Sequence, residues 1–136
     1  MKKILYIIPA TMLLLASCAT SKSAYTVAGE WNVTNLNGQN ITPSDETPFL
    51  GFDTSKGHVY GFTGCNRLTG EINLKNFANG KPDFSKMGMT RMLCPDDTYE
   101  SRFMDALSKV KSSEVKGDEM LLKDANGKVI ITLKKK

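Results

Sequence analysis

One change of hydrophobic period constrains the fold of this chain more than anything else in it. Before Pro95 the apolar residues come in short runs separated by turn residues, after it they take up helical spacing, and the last stretch alternates again. Trp31, Val33 and Leu36 form a first run closed by Asn37-Gly38. Phe49–Asp53 and His58–Phe62 read as an antiparallel pair, because Gly57 between them can take the positive φ that a hairpin's last loop position requires. Residues 68–74 alternate Leu68, Gly70, Ile72 and Leu74 against Thr69, Glu71 and Asn73, the period of a half-buried strand. Residues 76–82 read as a loop, and 83–92 as an irregular strand carrying Phe84, Met87 and Met89. In the helical stretch, 96–113, one face collects Tyr99, Phe103, Ala106, Leu107 and Val110, with Asp96 or Asp97 as cap and Glu100 supporting the first turn. A closing hairpin pairs 120–123 with 128–133 across Asp124-Ala125-Asn126-Gly127. Loops this short make consecutive strands antiparallel neighbours. The expected class is α+β: a small antiparallel sheet, strongly curled or barrel-like, packed on one main helix.

The first eighteen residues bear on where such a domain works. Lys2 and Lys3 make a positive start, residues 4–16 a mostly apolar run, and Ser17 a small residue before Cys18, the order of an export signal. Spanning a bilayer takes about 20 apolar residues, and Pro9 interrupts this shorter run. Leu15-Ala16-Ser17-Cys18 looks like a bacterial lipobox, which implies cleavage before Cys18 and acylation there. The expected organisation is a lipoprotein signal peptide over 1–17, a lipidated cysteine and flexible tether over 18–26, and a folded domain over 27–136. Lipid on Cys18 makes the membrane a partner, in the bacterial cell envelope, and the Ala19-Thr20 that follows favours the periplasmic face of the outer membrane.

Loss of Lys2 and Lys3 with the leader lowers the 18 basic residues to 16 against 14 acidic ones, and Lys134, Lys135 and Lys136 supply much of what remains. So small an excess on a solvated tail argues against nucleic acid as a partner. With Cys18 acylated, Cys65 and Cys94 are the remaining thiols. They either form a disulfide, favoured by export, or pack as two free cysteines. His58, the one histidine, precedes Cys65 by seven residues without the orienting group a nucleophilic dyad needs. Two cysteines and a histidine lack zinc-ligand spacing, so neither metal nor cofactor is expected. Asp53, Glu71 and Asp83 are too scattered to suggest acid–base work. The chain therefore reads as a non-enzyme.

Gly64-Cys65-Asn66-Arg67 within GFTGCNRLTGEI, followed by Met89-Thr90-Arg91-Met92-Leu93-Cys94, resembles the motifs of the META domain family, the HslJ-like proteins linked to heat shock. The likeness covers residues 27–133, from GEWNVTNLNG to the final LLKDANGKVIITL. It implies a compact α+β fold found in bacterial envelope proteins and often in lipoproteins, with no demonstrated activity. The family motif falls on Gly64, Cys65, Asn66, Arg67, Thr90, Arg91, Met92 and Cys94. Read from the residues, this cluster is a rigid turn, and the alternative is an anion site using Arg67 and Arg91 as bidentate donors. The functional expectation is a monomeric binding or stress-tolerance module whose partner is an envelope protein or a small ligand. Two alternatives stand beside it: a thiol–disulfide redox protein using Cys65 and Cys94, and a small-ligand carrier with a pocket lined by Trp31, Phe62 and Phe103.

Overall fold

The structure, a computed structural model, describes residues 27–136; the leader, Cys18 and the tether lie outside the described residues. Nine strands form one antiparallel sheet: β1 (Gly29–Leu36), β2 (Gln39–Asn40), β3 (Phe49–Asp53), β4 (His58–Phe62), β5 (Arg67–Glu71), β6 (Met87–Met89), β7 (Ser112–Lys116), β8 (Glu119–Lys123) and β9 (Val129–Lys135). Two short helices interrupt them, α1 (Leu74–Ala78) and α2 (Glu100–Lys109). The sheet runs β6-β5-β4-β3-β1-β9-β8-β7, with β2 paired to β1. Strand β1 thus joins the meander of the first half to the closing hairpin, pairing with β3 on one side and β9 on the other.

The first apolar run shows how the sequence sets this register. Trp31, Val33 and Leu36 do not share a period of two, yet all three are buried. A bulge between Val33 and Asn35 absorbs the extra residue, so that Val33 faces Leu133 and Leu36 faces Ile131 across the ladder. Asn37, at φ 51°, and Gly38 then reverse the chain into β2, as an Asn-Gly pair does in a tight hairpin. Trp31 is fully buried, and its indole Nε1 donates to the carbonyl of Val27 at 2.8 Å, so no polar atom is stranded there. Truncating such a side chain to alanine costs about 3–5 kcal/mol.

Several expectations change. The sheet is open: β6 and β7 are its two ends and do not pair with each other among the described residues, so the barrel-like form is not reached. The chain after α1 meets β7 instead, where the amide of Ser113 donates to the Gly80 carbonyl at 2.9 Å. The strand expected over 68–74 stops at Glu71, and the loop expected over 76–82 begins as helix α1. Asn73 caps that helix by accepting from the Asn76 amide at 3.0 Å, and buried Phe77 sets its ring edge-on to Phe52, 5.1 Å between centroids. Of the irregular strand at 83–92, three residues pair, while Phe84 is buried ahead of them.

Helix α2 ends at Lys109, and the residues after it turn into β7 rather than prolonging the helix. Its buried face, Phe103, Ala106 and Leu107, belongs to the same apolar cluster as the inward residues of the strands. Neither Asp96 nor Asp97 caps it. Tyr99 is the N-cap and makes no side-chain capping bond, while Glu100 supplies the acidic group of the first turn.

Candidate functional site

The family motif converges on one side chain. Asn66 is buried, 2 % exposed, and every hydrogen-bonding group it has is used. Its Oδ1 accepts from the Thr90 hydroxyl at 2.9 Å and the Met92 amide at 2.7 Å. Its Nδ2 donates to the Met92 carbonyl at 3.2 Å and to Cys94 Sγ at 3.1 Å. An asparagine amide offers two donors and two acceptor sites, so this set is complete. Asn66 thereby fixes the segment from Thr90 to Cys94 as a backbone partner would.

The turn that carries Asn66 is built around Thr63, itself fully buried. Thr63 Oγ1 accepts from the amides of Cys65 and Asn66 at 3.2 and 2.8 Å. Its single proton goes to Glu100 Oε1, 2.6 Å away, the shorter and charge-assisted contact, rather than to the Asn66 carbonyl at 3.1 Å. Glu100 also accepts from the Asn66 amide at 3.3 Å. Burial raises the Glu100 carboxyl's affinity for its proton, but the bonds from Thr63 and Asn66 outweigh burial and hold it below the usual glutamate range. Gly64, at φ +101°, has a backbone conformation that strains any L side chain, and a Cβ there would also sit tightly, 3.1 Å from the Glu46 carbonyl oxygen.

Cys65 and Cys94 are joined in a disulfide, with Cα atoms 6.0 Å apart, tying the turn to the segment that leads into α2. The sulfurs and a Glu100 oxygen lie within 4.8 Å of one another, but bonded sulfurs offer no thiolate to a metal. Arg67 meets Thr90 through its main chain, donating to the Thr90 hydroxyl at 3.0 Å and accepting from the Thr90 amide at 3.0 Å. The side chains of Arg67 and Arg91 are exposed and form no ion pair among the described residues. What converges is a neutral amide, two hydroxyls and a carboxylate; the two guanidiniums stay outside. The loop so held presents its apolar residues outward: Met92 is 60 % exposed and Leu93 fully exposed.

Other candidates are not brought together. His58 Nε2 lies 3.1 Å from the Thr69 hydroxyl, and the ring stacks on Tyr60, with no contact to Cys65. Trp31 and Phe103 are fully buried, whereas Phe62 is a half-buried residue of the sheet's other face, beside Phe49 and Tyr60. The three therefore line no common pocket. Thr63 and Glu100 were not among the expected site residues. A Thr-x-x-Asn spacing before the turn is the one local signal of the first; nothing local to Glu100 distinguishes a helix-start carboxylate from one committed to a distant turn.

The META domain model matches residues 24–136. The chain belongs to the META domain family. An NMR structure from Burkholderia xenovorans is 24 % identical, with a TM-score of 0.63 over 97 % of this chain and 99 % of that one. A second NMR structure is 22 % identical, TM-score 0.63, covering 85 % and 95 %. A crystal structure of a DUF4847 family protein from Bacteroides vulgatus is 14 % identical, TM-score 0.57, covering 84 % and 96 %. At these identities the likeness speaks to fold. No curated protein matches the sequence. In this META domain the motif residues do one identifiable job: they fix the loop from Thr90 to Cys94 against the turn at residues 63–66.

Proposed function

We propose that this META protein is a lipid-anchored, non-enzymatic module of the bacterial envelope that recognises a partner protein through the Thr90–Cys94 loop, in the service of stress tolerance. The observation that carries this reading is a contrast within five residues. The loop's backbone and Cys94 are held by Asn66, while Met92 and Leu93 are turned out to solvent. Fixing the backbone that carries exposed apolar side chains removes part of the ordering entropy that binding would otherwise have to overcome. Fully exposed large apolar residues on such a loop mark contact surfaces more than catalytic ones. The export signal and Cys18 supply the anchor and compartment. The redox alternative fits less well, because the Glu100 carboxylate beside both sulfurs opposes the thiolate that exchange needs.

A photoreactive residue at position 93 of the acylated chain, expressed in its own envelope, tests this reading. A discrete adduct is expected from position 93 and none from Lys116, an exposed residue at the end of β7. Identical adduct patterns at both positions, or no adduct at 93, would defeat it. Radiolabelled palmitate incorporated by the parent chain and lost in Cys18→Ala checks the anchor.

A further inference from the structure

A second surface, which meets the motif loop only at its Arg67 margin, has the composition of a ligand platform. Strand register lays the solvent-side residues of β1, β3, β4 and β5 in rows. One row is Asn32, Phe49, Phe62 and Arg67; the next is Glu30, Gly51, Tyr60 and Thr69; a third, shorter, is Asp53, His58 and Glu71. The middle of this grid is aromatic and its margins polar. Phe49 and Phe62 stand 6.3 Å apart, Phe49 and Tyr60 6.5 Å, and His58 stacks on Tyr60 at 6.5 Å with planes 19° apart.

All four rings are partly exposed, whereas the aromatic residues on the other face of the same strands are buried. Gly51 explains how Tyr60 lies. A Cβ at 51 would collide with its ring, so the ring rests across β3 where a side chain is missing, and it remains partly exposed. Where the stripe ends at Phe49 and Phe62, an open cleft of about 290 Å³ continues it, with Asn32, Ser44, Asp45 and Lys136 on its walls. From His58 to Phe62 the strand extends about 14 Å, room for a short oligomer.

The margins say which oligomer. Stacking surfaces for nucleic acids sit in positively charged grooves. Here Glu30, Asp53, Glu71 and Asp45 are matched by Arg67, Lys136, Lys56 beside Asp53 and Lys134, which register sets next to Asn32, and Lys136 Nζ is already paired with Glu30 at 2.7 Å while lying 4.3 Å over the Phe49 ring. The charges balance, so this face has no positive excess to draw a polyanion. Flat apolar rings flanked by carboxylates, amides and hydroxyls suit a ligand that is apolar on its faces and rich in hydroxyl donors at its edges. We propose that this face binds an uncharged glycan, its sugar rings stacking on Tyr60, Phe49 and Phe62 and its hydroxyls bonding the flanking Glu30, Asn32 and Thr69.

The test is amide chemical-shift mapping of the full-length chain in micelles of a detergent without sugar headgroups, titrated in turn with cellotetraose, maltotetraose, chitotetraose and octauridylate. At least one tetrasaccharide is expected to move the amides of Phe49, Gly51, Tyr60 and Phe62 with a Kd in the roughly millimolar range. Tyr60→Leu, which keeps an apolar side chain but removes the stacking surface, should weaken that Kd about tenfold or more. Phe62→Leu should do the same, and Leu93→Ser should leave it unchanged. The proposal is overturned if no tetrasaccharide moves these amides, if the shifts fall elsewhere, or if octauridylate binds this face more tightly. Because the readout ignores the Thr90–Cys94 loop, either proposal can fail while the other stands.

Discussion

The two polar-and-apolar clusters of this domain are built on opposite principles. Around Asn66 the polar groups are buried and satisfied, and the apolar Met92 and Leu93 are displaced to the outside. On the face of β3 and β4 the aromatic rings are partly exposed, and the polar groups at the margins pair with one another at the surface, Glu30 with Lys136 and Thr69 with His58. A buried, saturated network has no spare donor or acceptor for a ligand; it fixes conformation. A partly exposed aromatic face keeps some surface available for contact. Asn66, at the centre of the family motif, thus has no polar atom left for a ligand, whereas the motif's Arg67 and Arg91 keep their side chains exposed.

The contrast breaks most sharply at Asn66. Asn66→Ala removes four side-chain hydrogen bonds and leaves the Met92 amide and carbonyl without these partners. The expected loss is about 4 kcal/mol, since each of the four bonds contributes about 1 kcal/mol, read as a lower midpoint in urea unfolding. A loss under about 1 kcal/mol would mean that the network is not what holds the loop. Next comes the disulfide. Replacing Cys65 and Cys94 together by serine opens a loop with 29 residues of sequence separation, and the chain-entropy model gives about 3.5 kcal/mol of destabilisation. The same unfolding experiment on the parent chain, with and without reductant, should reproduce that difference. Equal midpoints would show a bridge that constrains nothing.

How far the fold was legible follows from the range over which each signal acts. The β3–β4 pair is readable to the residue, because period-two alternation on either side of a four-residue turn is local information. Tyr99, Phe103, Ala106 and Leu107 announce α2 for the same reason, although its cap is not the expected aspartate. Helix α1 hides because five residues are too few to show a period, and Leu74 continues the alternation of β5 by coincidence. Cys65, Cys94 and Asn66 are visible as motif residues, but Glu100, the partner of Asn66, is 34 positions from it in sequence. The aromatic grid was half visible: His58, Tyr60 and Phe62 share one face of any strand, whereas their neighbours Phe49, Glu30 and Asn32 depend on register across three strands.

A smaller effect is expected from the carboxylate that links the two halves of the motif. Because Glu100 has its proton affinity lowered in the folded state, the stability it confers is present above the unfolded glutamate value, 4.5, and is lost as pH falls below that toward the folded value. Glu100→Gln should therefore be less stable than the parent at pH 7, by about 1 kcal/mol for a weakened charge-assisted bond to Thr63, and the gap should narrow as pH falls below 4.5. A gap that persists unchanged in acid would trace the loss to packing rather than to charge.

The smallest stability effects separate the two regions most cleanly by function. Leu93 is fully exposed and Tyr60 lies on the solvent side of β4, so Leu93→Ser should change unfolding free energy by no more than about 0.5 kcal/mol. Tyr60→Leu should do little more, since its hydroxyl makes only a long 3.4 Å contact with Glu30. With folding held nearly constant, each variant is expected to lose a different interaction: the position-93 contact for the first, the glycan shift for the second. If Leu93→Ser unfolded the domain, the loop would belong to the core rather than to a contact surface. If both variants lost both interactions, the motif loop and the aromatic face would be one continuous site, and the distinction between a region that fixes shape and a region that binds would have to be redrawn across β5.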